Sequence, residues 1–327
     1  MKVHFFERKF NEDQISIEKI FGIIQGEFAK KGIHFEIFKN PFPLKKMLSA
    51  MLYFRRNQGM INHITGDIHW ASLLLDPKRT VLTIHDVVGL RELTGWKKRL
   101  YFELWLNLPL KRLNYITVIS GKTKKEILSY LPWAESKISV IPNCLTIAIA
   151  PDNFEKNNKI PHILIVGTRS NKNIERVIKS VQELPVKLMI VGRLSSNQIQ
   201  LLNEVEIIYE NFQNISDDEL TKLYDQSDIL CFPSLYEGFG LPILEAQARN
   251  CAVLTSDISP MNEVAGEGAV FVNPERSSEI REGIKKLLED EDFRIQQLKS
   301  GKKNVQKYKP EEIAKQYLEL YQKIDLK

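Results

Sequence analysis

Residues 228–255, DILCFPSLYEGFGLPILEAQARNCAVLT, limit the possible folds more than any other stretch of the chain. They begin with a short apolar run that ends at Pro233, which is typical of a buried strand. A loop with two glycines follows, and Pro242 then stands where a helix would begin. A second apolar run covers residues 251–255. A strand, a loop, a helix and a second strand in this order predict one repeat of a parallel α/β sheet.

The loop in this segment is suited to bind a ligand. Gly238 and Gly240 allow the backbone to come close to a ligand, and the unpaired amides of the first helical turn attract anions such as phosphate. Two carboxylates flank the loop, Glu237 before it and Glu245 one turn into the helix. A carboxylate beside a phosphate is repelled unless it faces neutral hydroxyls, from which it accepts strong hydrogen bonds. The segment therefore indicates a ligand that carries both phosphate and sugar hydroxyls.

The stretch FPSLYEGFGLPILEA resembles the E-x7-E signature of retaining glycosyltransferases with the GT-B fold, most closely glycosyltransferase family 4 (glycosyl transferases group 1). The resemblance is strong over residues 160–275, moderate over 60–145 and poor over 1–58. It implies that Glu237 holds the hydroxyls of the donor sugar as a catalytic residue and that Glu245 holds the ribose. The donor-binding residues that it implies in this segment are Gly238, Phe239, Gly240, Leu241 and Glu245. The alternative is an ordinary crossover of a parallel sheet with a solvated glutamate on its helix.

Strands and amphipathic helices alternate along both halves of the 327 residues, a length that suits two domains of about 150 residues. We expect an α/β protein with two Rossmann-like domains that face a cleft, which is the GT-B architecture. The predicted strands are residues 3–6, 33–38, 59–64, 80–84, 115–119, 138–141, 163–166, 187–191, 205–209, 229–232, 252–254 and 269–272.

The expected domain boundaries follow from a polar, proline-bounded linker at residues 150–161. An acceptor domain would cover residues 1–155 and a nucleotide-sugar donor domain residues 156–309. Residues 310–327 form a helical pattern that begins with Pro310. The resemblance implies that this last helix crosses back onto the N-terminal domain.

Basic residues follow the first strand of the second half, in the sequence GTRSNKN at residues 167–173. A loop between the carboxyl end of a strand and a helix is where α/β sheets bind ligands, and phosphate is the natural anion there. The resemblance implies that Lys172 and Arg169 hold the diphosphate, with Arg193 as a rival for the arginine role. Their charge would stabilise a leaving nucleoside diphosphate. The alternative for each is a solvated surface charge.

The run TVLTIHDVVGL at residues 80–90 predicts a buried strand that ends at His85 and Asp86. The resemblance implies that His85 is a catalytic residue close to the transferred sugar. Asp86 beside a half-buried histidine could instead be an ordinary capping residue. Ser120, and Ser216 with Glu219, are expected to cap helices, and the loop 210–213 lies where the family places the base.

Charge is distributed unevenly: residues 1–160 contain 25 basic and 15 acidic residues, against 21 and 26 in the remainder. This indicates an anionic partner such as a membrane surface or a lipid-linked phosphate, or else only a bias towards lysine. Residues 95–113 are apolar and basic, and so is a second cluster in which Met47, Leu48 and Met51 accompany Lys45, Lys46, Arg55 and Arg56. Each suits either a membrane interface or a buried crossover helix.

The three cysteines are expected to be buried free thiols of a cytoplasmic protein, because the N-terminus lacks a signal peptide and no run of about 18 apolar residues occurs. We expect no cofactor or metal, with a UDP- or GDP-sugar as co-substrate. No nucleic-acid motif is present. Many family members have a Gly-Gly pair after the first strand, whereas residues 13–18 here contain no glycine.

These features predict a retaining, metal-independent glycosyltransferase that moves a sugar from a nucleotide-sugar to a glycan or lipid-linked acceptor. The expected setting is bacterial surface polysaccharide synthesis at the inner face of the plasma membrane. Two other classes remain open. One is a nucleotide-sugar epimerase or sugar phosphorylase with the same fold, and the other is a degenerate subunit that supports a partner transferase.

Overall fold

The computed structural model describes residues 1–9, 16–154, 156 and 158–325. These residues form two parallel sheets, each of six strands. By their internal contacts, Met1–Cys144 and Tyr308–Lys327 make one unit, and Leu145–Lys307 make the other. The two parallel sheets with their helices confirm the predicted α/β class. Of the glycine-free stretch 13–18, residues 13–15 lie outside the described residues.

The sheet of the first unit has the strand order β2-β1-β3-β4-β5-β6. Its strands are β1 Lys2–Glu7, β2 His34–Lys39, β3 Ile61–Ile64, β4 Thr80–Ile84, β5 Tyr115–Val118 and β6 Ile138–Val140. Its helices before the second unit are α1 Ser16–Lys30, α2 Met47–Arg56, α3 Gly89–Glu92, α4 Gly95–Tyr101, α5 Leu108–Arg112 and α6 Gly121–Tyr130. Every residue of β3 and β4 is buried, as is usual for the central strands of a parallel sheet. Residues that follow parallel strands meet at one edge, so the loops after β3 and β4 lie side by side.

Residues 95–113 form a helical segment whose two ends differ in burial. Helix α4 has no buried residue, whereas α5 buries Pro109 and Leu110. A π-helix at Phe102–Asn107 joins them, and within it Leu106 is buried. A buried crossover helix is therefore correct only for the second part of this segment.

The sheet of the second unit has the strand order β12-β11-β10-β7-β8-β9. Its strands are β7 His162–Val166, β8 Lys187–Val191, β9 Ile208–Phe212, β10 Ile229–Phe232, β11 Ala252–Ser256 and β12 Val270–Val272. Its helices are α7 Ile174–Ser180, α8 Ser196–Glu204, α9 Asp217–Gln226, α10 Leu241–Ala248, α11 Met261–Ala265, α12 Ser277–Glu289 and α13 Glu291–Val305. Strand β9 begins three residues later than predicted, because the Val205 amide still bonds back to Leu201 at the end of α8. Residues 210–212, expected in a loop, thus belong to an edge strand.

The first part of the expected linker is attached to the second unit. The Ala150 amide donates to the Ala248 carbonyl at 2.9 Å. The Asn250 side chain donates to the carbonyls of Pro151 and Asn153 at 2.7 and 2.9 Å. Residues 150–153 are therefore held by the end of α10 and do not form a free connection.

The expected helix caps and thiols are present. The Ser120 hydroxyl accepts from the Thr123 amide at 3.1 Å, and Ser216 with Glu219 forms a capping box. Cys144, Cys231 and Cys251 are buried and not in disulfides. Among the described residues, no helix is both long and apolar enough to cross a membrane.

The C-terminal helix α14, Pro310–Asp325, packs on α1 and β3 of the first unit. The Tyr321 hydroxyl lies 2.5 Å from His63 Nδ1, and His63 Nε2 lies 2.7 Å from the Thr83 hydroxyl. Burial lowers the pKa of His63 to about 3, so the imidazole is neutral and forms hydrogen bonds to both hydroxyls. The helix therefore crosses back to the first unit, as the resemblance implied.

Candidate functional site

Lys172 and Glu237 form an ion pair at the carboxyl edge of the second sheet. Lys172 Nζ donates to Glu237 Oε1 at 2.7 Å, and both side chains are largely shielded from water. Lys172 follows β7 and Glu237 follows β10, and these two strands are neighbours in the sheet. Lys172 Nζ also lies 4.4 Å from the centre of the Phe232 ring, a favourable cation–π contact. The structure thus brings together two residues that the sequence predicted for the same ligand.

Two asparagines on either side of Lys172 tie the surrounding loops together. The Asn171 side chain donates to the Tyr236 carbonyl at 3.0 Å, and the Asn171 backbone carbonyl accepts from the Leu235 amide at 2.8 Å. Asn173 has a left-handed backbone with φ of 61°, which asparagine tolerates better than most residues.

The buried Asn173 side chain also connects two other loops to the one that carries Lys172. It donates to the carbonyls of Pro233 and Pro274 at 3.0 and 2.6 Å. The sequence did not predict this role of Asn173. The available signal was an asparagine between a strand and a helix, where a left-handed residue is often needed.

Glycines at the two loops allow close packing. Gly167 has φ of +93°, and a Cβ there would lie 2.9 Å from Lys172 Cε, so the lysine stem packs on the Gly167 backbone. Gly240 has φ of +105° and directly precedes α10. Gly240 offers no side chain to cap the first-turn amides of that helix, which leaves them suited to an anion. The helix begins at Leu241, so Pro242 is its second residue.

Glu245 lies on the buried helix α10 and is only 6% exposed. Its Oε1 accepts from the Thr146 hydroxyl at 2.5 Å, and its Oε2 accepts from the Tyr224 hydroxyl at 2.8 Å. Burial, together with the Glu245 carboxylate, holds the pKa of Tyr224 well above its ordinary value, so this phenol remains a donor.

These contacts contradict the alternative of a solvated glutamate, because the Glu245 carboxylate is buried and oriented. Each carboxylate oxygen has two lone pairs, so each can accept a further hydroxyl hydrogen. Nothing in the sequence marked Thr146 or Tyr224 as partners of Glu245, since they lie 99 and 21 residues from it.

The two arginines proposed for the diphosphate are both exposed. Arg169 precedes a 3₁₀-helix at Ser170–Lys172, and the Arg193 carbonyl accepts from the Thr168 hydroxyl at 2.6 Å. Over residues 1–9, 16–154, 156 and 158–325, no ion pair of either guanidinium is found. Their roles stay predictions.

His85 and Asp86 follow β4 in the first unit. His85 Nε2 lies 2.8 Å from the Thr65 carbonyl, which is an acceptor, so Nε2 carries the proton. Burial lowers the pKa of His85 to about 4, and the neutral ring therefore presents Nδ1 as an acceptor. Asp86 Oδ1 accepts from the Val88 amide at 3.0 Å, as expected for the capping alternative. The role of His85 towards a sugar stays a prediction.

A metal centre is not evident among the described residues, where no group of three or more His, Cys, Asp or Glu side chains is arranged to hold an ion. Lys172 supplies positive charge beside the candidate site. Its ammonium donates to Glu237, which directly precedes the glycine-bearing loop.

The segment that carries this site is similar to a known family. Residues 148–304 match the model of the family described as glycosyl transferases group 1. Over 222 residues the chain is 31% identical to the O-antigen chain mannosyltransferase RfbU of Salmonella typhimurium, which covers 64% of this chain and 61% of that protein. The chain thus spans about three fifths of the length of this relative.

Solved structures share the fold over nearly the whole chain. A glycosyltransferase from Rickettsia africae has a TM-score of 0.73 and 18% identity, covering 99% of this chain and 98% of that one. Alr3699/HepE from Anabaena, in complex with UDP and glucose, has a TM-score of 0.75 and 14% identity, covering 99% and 100%. Residues 148–304 are therefore similar to the glycosyl transferases group 1 family, and the chain as a whole shares the GT-B fold of these solved structures.

Proposed function

We propose that this chain is a retaining glycosyltransferase that moves a hexose from a UDP- or GDP-sugar to a glycan or lipid-linked acceptor in surface polysaccharide synthesis. The observation that carries the proposal is the Lys172–Glu237 pair, held beside a helix whose Glu245 is buried and oriented. A relative named as an O-antigen mannosyltransferase supports mannose as the first sugar to test. A structural neighbour that binds UDP and glucose supports a nucleotide-sugar as donor.

In this proposal Lys172 and the first amides of α10 stabilise the charge that develops on the leaving diphosphate. Glu237 accepts hydrogen bonds from the donor sugar, and Glu245 accepts them from the ribose, because carboxylates bind hydroxyls strongly. Arg169 is the proposed second cation for the diphosphate, and His85 the proposed contact to the sugar from the first unit. As the resemblance implies, the acceptor attacks on the face that the diphosphate leaves, without an enzymic nucleophile.

We also propose that the protein works in the cytoplasm at an anionic membrane surface, where a lipid-linked acceptor would be found. The excess of basic residues in the first 160 positions supports this setting.

The donor site is tested by calorimetric titration with UDP, GDP, ADP and TDP. We expect one nucleotide to bind tightly, and Glu245→Gln to weaken it by about 10- to 150-fold, the value of a charge-assisted hydrogen bond of about 1.5–3 kcal/mol. Glu282→Gln on α12, an exposed glutamate of the same unit, is the matched control and should bind as the wild type. A smaller loss for Glu245→Gln, in a protein that unfolds at the wild-type temperature, would remove the ribose role.

Transfer itself is tested with GDP-mannose and UDP-glucose and an isolated lipid-linked glycan. A transferase needs the acceptor and forms a new α-linkage that retains the donor configuration. Release of nucleotide with no acceptor would indicate an epimerase, and turnover that depends on inorganic phosphate would indicate a phosphorylase. Absence of binding to any nucleotide would favour a degenerate subunit.

A further inference from the structure

Helix α2 and the 3₁₀-helix that precedes it, Leu44–Lys46, carry an apolar stripe that is exposed. Leu44, Leu48 and Leu52 follow each other at intervals of four residues and are 60%, 65% and 40% exposed. The opposite side of the helix buries Ala50 and Phe54 in the core of the first unit. Only one side of this helix therefore packs in the core, and the exposed leucine stripe does not contribute to the core of the described unit.

Helix α4 repeats the pattern. Trp96 is 71% exposed and Leu100, one turn later, is 49% exposed. Monomeric soluble proteins seldom leave a tryptophan so open, and a contiguous exposed apolar patch generally marks an interaction site. We call Leu44, Leu48, Leu52, Trp96 and Leu100 together the Leu/Trp surface.

The two parts of the Leu/Trp surface belong to helical segments that share one packing neighbour in the first unit. Helix α2 packs on a 3₁₀-helix at His69–Leu74, and the π-helix at Phe102–Asn107, which continues α4, packs on that same 3₁₀-helix. Met51 and Leu106 belong to one hydrophobic core under these elements. The two stripes can therefore meet one partner.

The charges around the Leu/Trp surface identify the kind of partner. Residues 44–56 and 95–113 contain nine basic residues and a single acidic one, whereas the net charge of the whole chain is +5. Lys45, Lys46, Arg55 and Arg56 are all exposed beside the leucine stripe, as are Lys97 and Arg99 beside Trp96. Exposed leucine and tryptophan within a dense basic surround is the composition of interfacial helices on anionic bilayers.

We propose that the Leu/Trp surface docks the first unit on an anionic lipid bilayer, with its apolar side chains among the headgroups and its basic side chains on the phosphates. A second copy of this chain fits less well, because a twofold contact would bring each basic segment against its own copy. This inference deepens the membrane contact of the proposed function and rests on it for its biological setting.

Vesicle flotation tests the proposal with the full-length chain. We expect binding to vesicles of phosphatidylcholine and phosphatidylglycerol, and little to phosphatidylcholine alone. Leu48→Ser/Trp96→Ser should weaken the partition at least about tenfold, since each buried CH₂ contributes several-fold to it. Lys45→Gln/Lys46→Gln should weaken the partition onto anionic vesicles by about fivefold per lysine. High salt should also weaken the partition, because it screens the attraction between the basic side chains and the lipid phosphates.

The matched control is Ile199→Ser/Ile208→Ser, which removes two similarly exposed isoleucines from the second unit and should leave the partition unchanged. Tryptophan fluorescence should shift to the blue on vesicles, and Trp96→Phe should remove most of that shift. Equal binding to neutral vesicles, or an unaltered partition of Leu48→Ser/Trp96→Ser, would overturn the proposal. So would a wild-type dimer that this double variant dissociates.

Failure of this proposal and failure of the proposed function are told apart by nucleotide calorimetry on the same double variant. Its nucleotide affinity should equal that of the wild type, because the Leu/Trp surface and the Lys172 site belong to different units. Urea unfolding read by the three remaining tryptophans, all within Met1–Cys144, shows that the first unit of the variant is folded.

Discussion

Lys172 carries three N–H donors, and Glu237 accepts one of them at 2.7 Å. The ammonium can therefore hold Glu237 and a phosphate oxygen at the same time, and need not exchange one for the other. Glu237 is neutralised by this contact, which lowers the repulsion that a carboxylate would otherwise exert on a diphosphate nearby. At the scale of single residues, the ion pair with Lys172 reduces the electrostatic repulsion between the Glu237 carboxylate and a bound phosphate.

Gly167→Ala should weaken nucleotide binding, although residue 167 carries no functional group. Its φ of +93° disfavours any side chain, and the new Cβ would lie 2.9 Å from Lys172 Cε. We expect a loss of about 1–3 kcal/mol of unfolding free energy for the second unit, and weaker binding because Lys172 must move. Calorimetry and urea unfolding measure the two effects.

The control for this substitution is Gly26→Ala on α1, where an added Cβ meets nothing within 4 Å. That change should be neutral or stabilise the protein by up to about 1 kcal/mol, because alanine favours a helix over glycine. Unaltered nucleotide affinity in Gly167→Ala would show that the Lys172 position does not depend on the glycine.

At the scale of elements, α14 shows what joins the chain's last helix to the first unit. Ile313, Tyr317, Tyr321 and Ile324 are buried and recur at the three- and four-residue intervals of one helix face. The apolar stripe alone would suit any apolar surface. Specificity comes from the Tyr321 hydroxyl, which meets the His63 imidazole in a fully buried position.

Tyr321→Phe should destabilise the first unit by about 1–3 kcal/mol, because it leaves a ring nitrogen of His63 buried without its partner. Urea unfolding followed by tryptophan fluorescence is a selective measurement, since all four tryptophans of the sequence lie within Met1–Cys144. Gln322→Ala, at the neighbouring exposed position, should change stability little. A Tyr321→Phe protein as stable as the wild type would mean that this hydrogen bond has no net value.

At the scale of the whole molecule, three buried histidines make the first unit sensitive to acid. Burial lowers the pKa values of His63, His69 and His85 in the first unit to about 3, 4 and 4. The unfolded chain binds protons at histidines with an ordinary pKa of about 6.5, so protonation favours unfolding. Stability from these groups is therefore complete above about pH 6.5 and is lost as the pH falls towards 4.

We predict that the unfolding free energy of the first unit falls by about 1 kcal/mol for each of these histidines between pH 6.5 and 5.5. Urea unfolding at several pH values, read by tryptophan fluorescence, gives the slope. His63→Gln should reduce the slope, whatever it does to stability at pH 7. His34→Gln, at an exposed histidine of the same unit, should leave it as it is. A slope unaffected by His63→Gln would mean that His63 titrates normally.

Local sequence patterns predicted most of the fold. Strands β4, β8 and β10 have the predicted bounds, because a short β-branched run between polar loops has few other uses in an α/β chain. Strand β9 was placed too early, since Val205 is apolar but completes a helical turn. The loop positions of Lys172 and Glu237 were predictable as well, because residues after neighbouring parallel strands meet at one edge.

The sequence by itself determined the alternation of strands and helices, the two-sheet class and the loops that carry the candidate ligand residues. Tertiary structure alone decided that Glu245 is held by Thr146 and Tyr224 and that Asn173 joins three loops. It also decided that α4 has no buried residue while α5 buries Pro109 and Leu110, although both helices have apolar residues. The reason is physical: spacing along the chain specifies which side of a helix is apolar, but only packing between distant segments decides what that side meets.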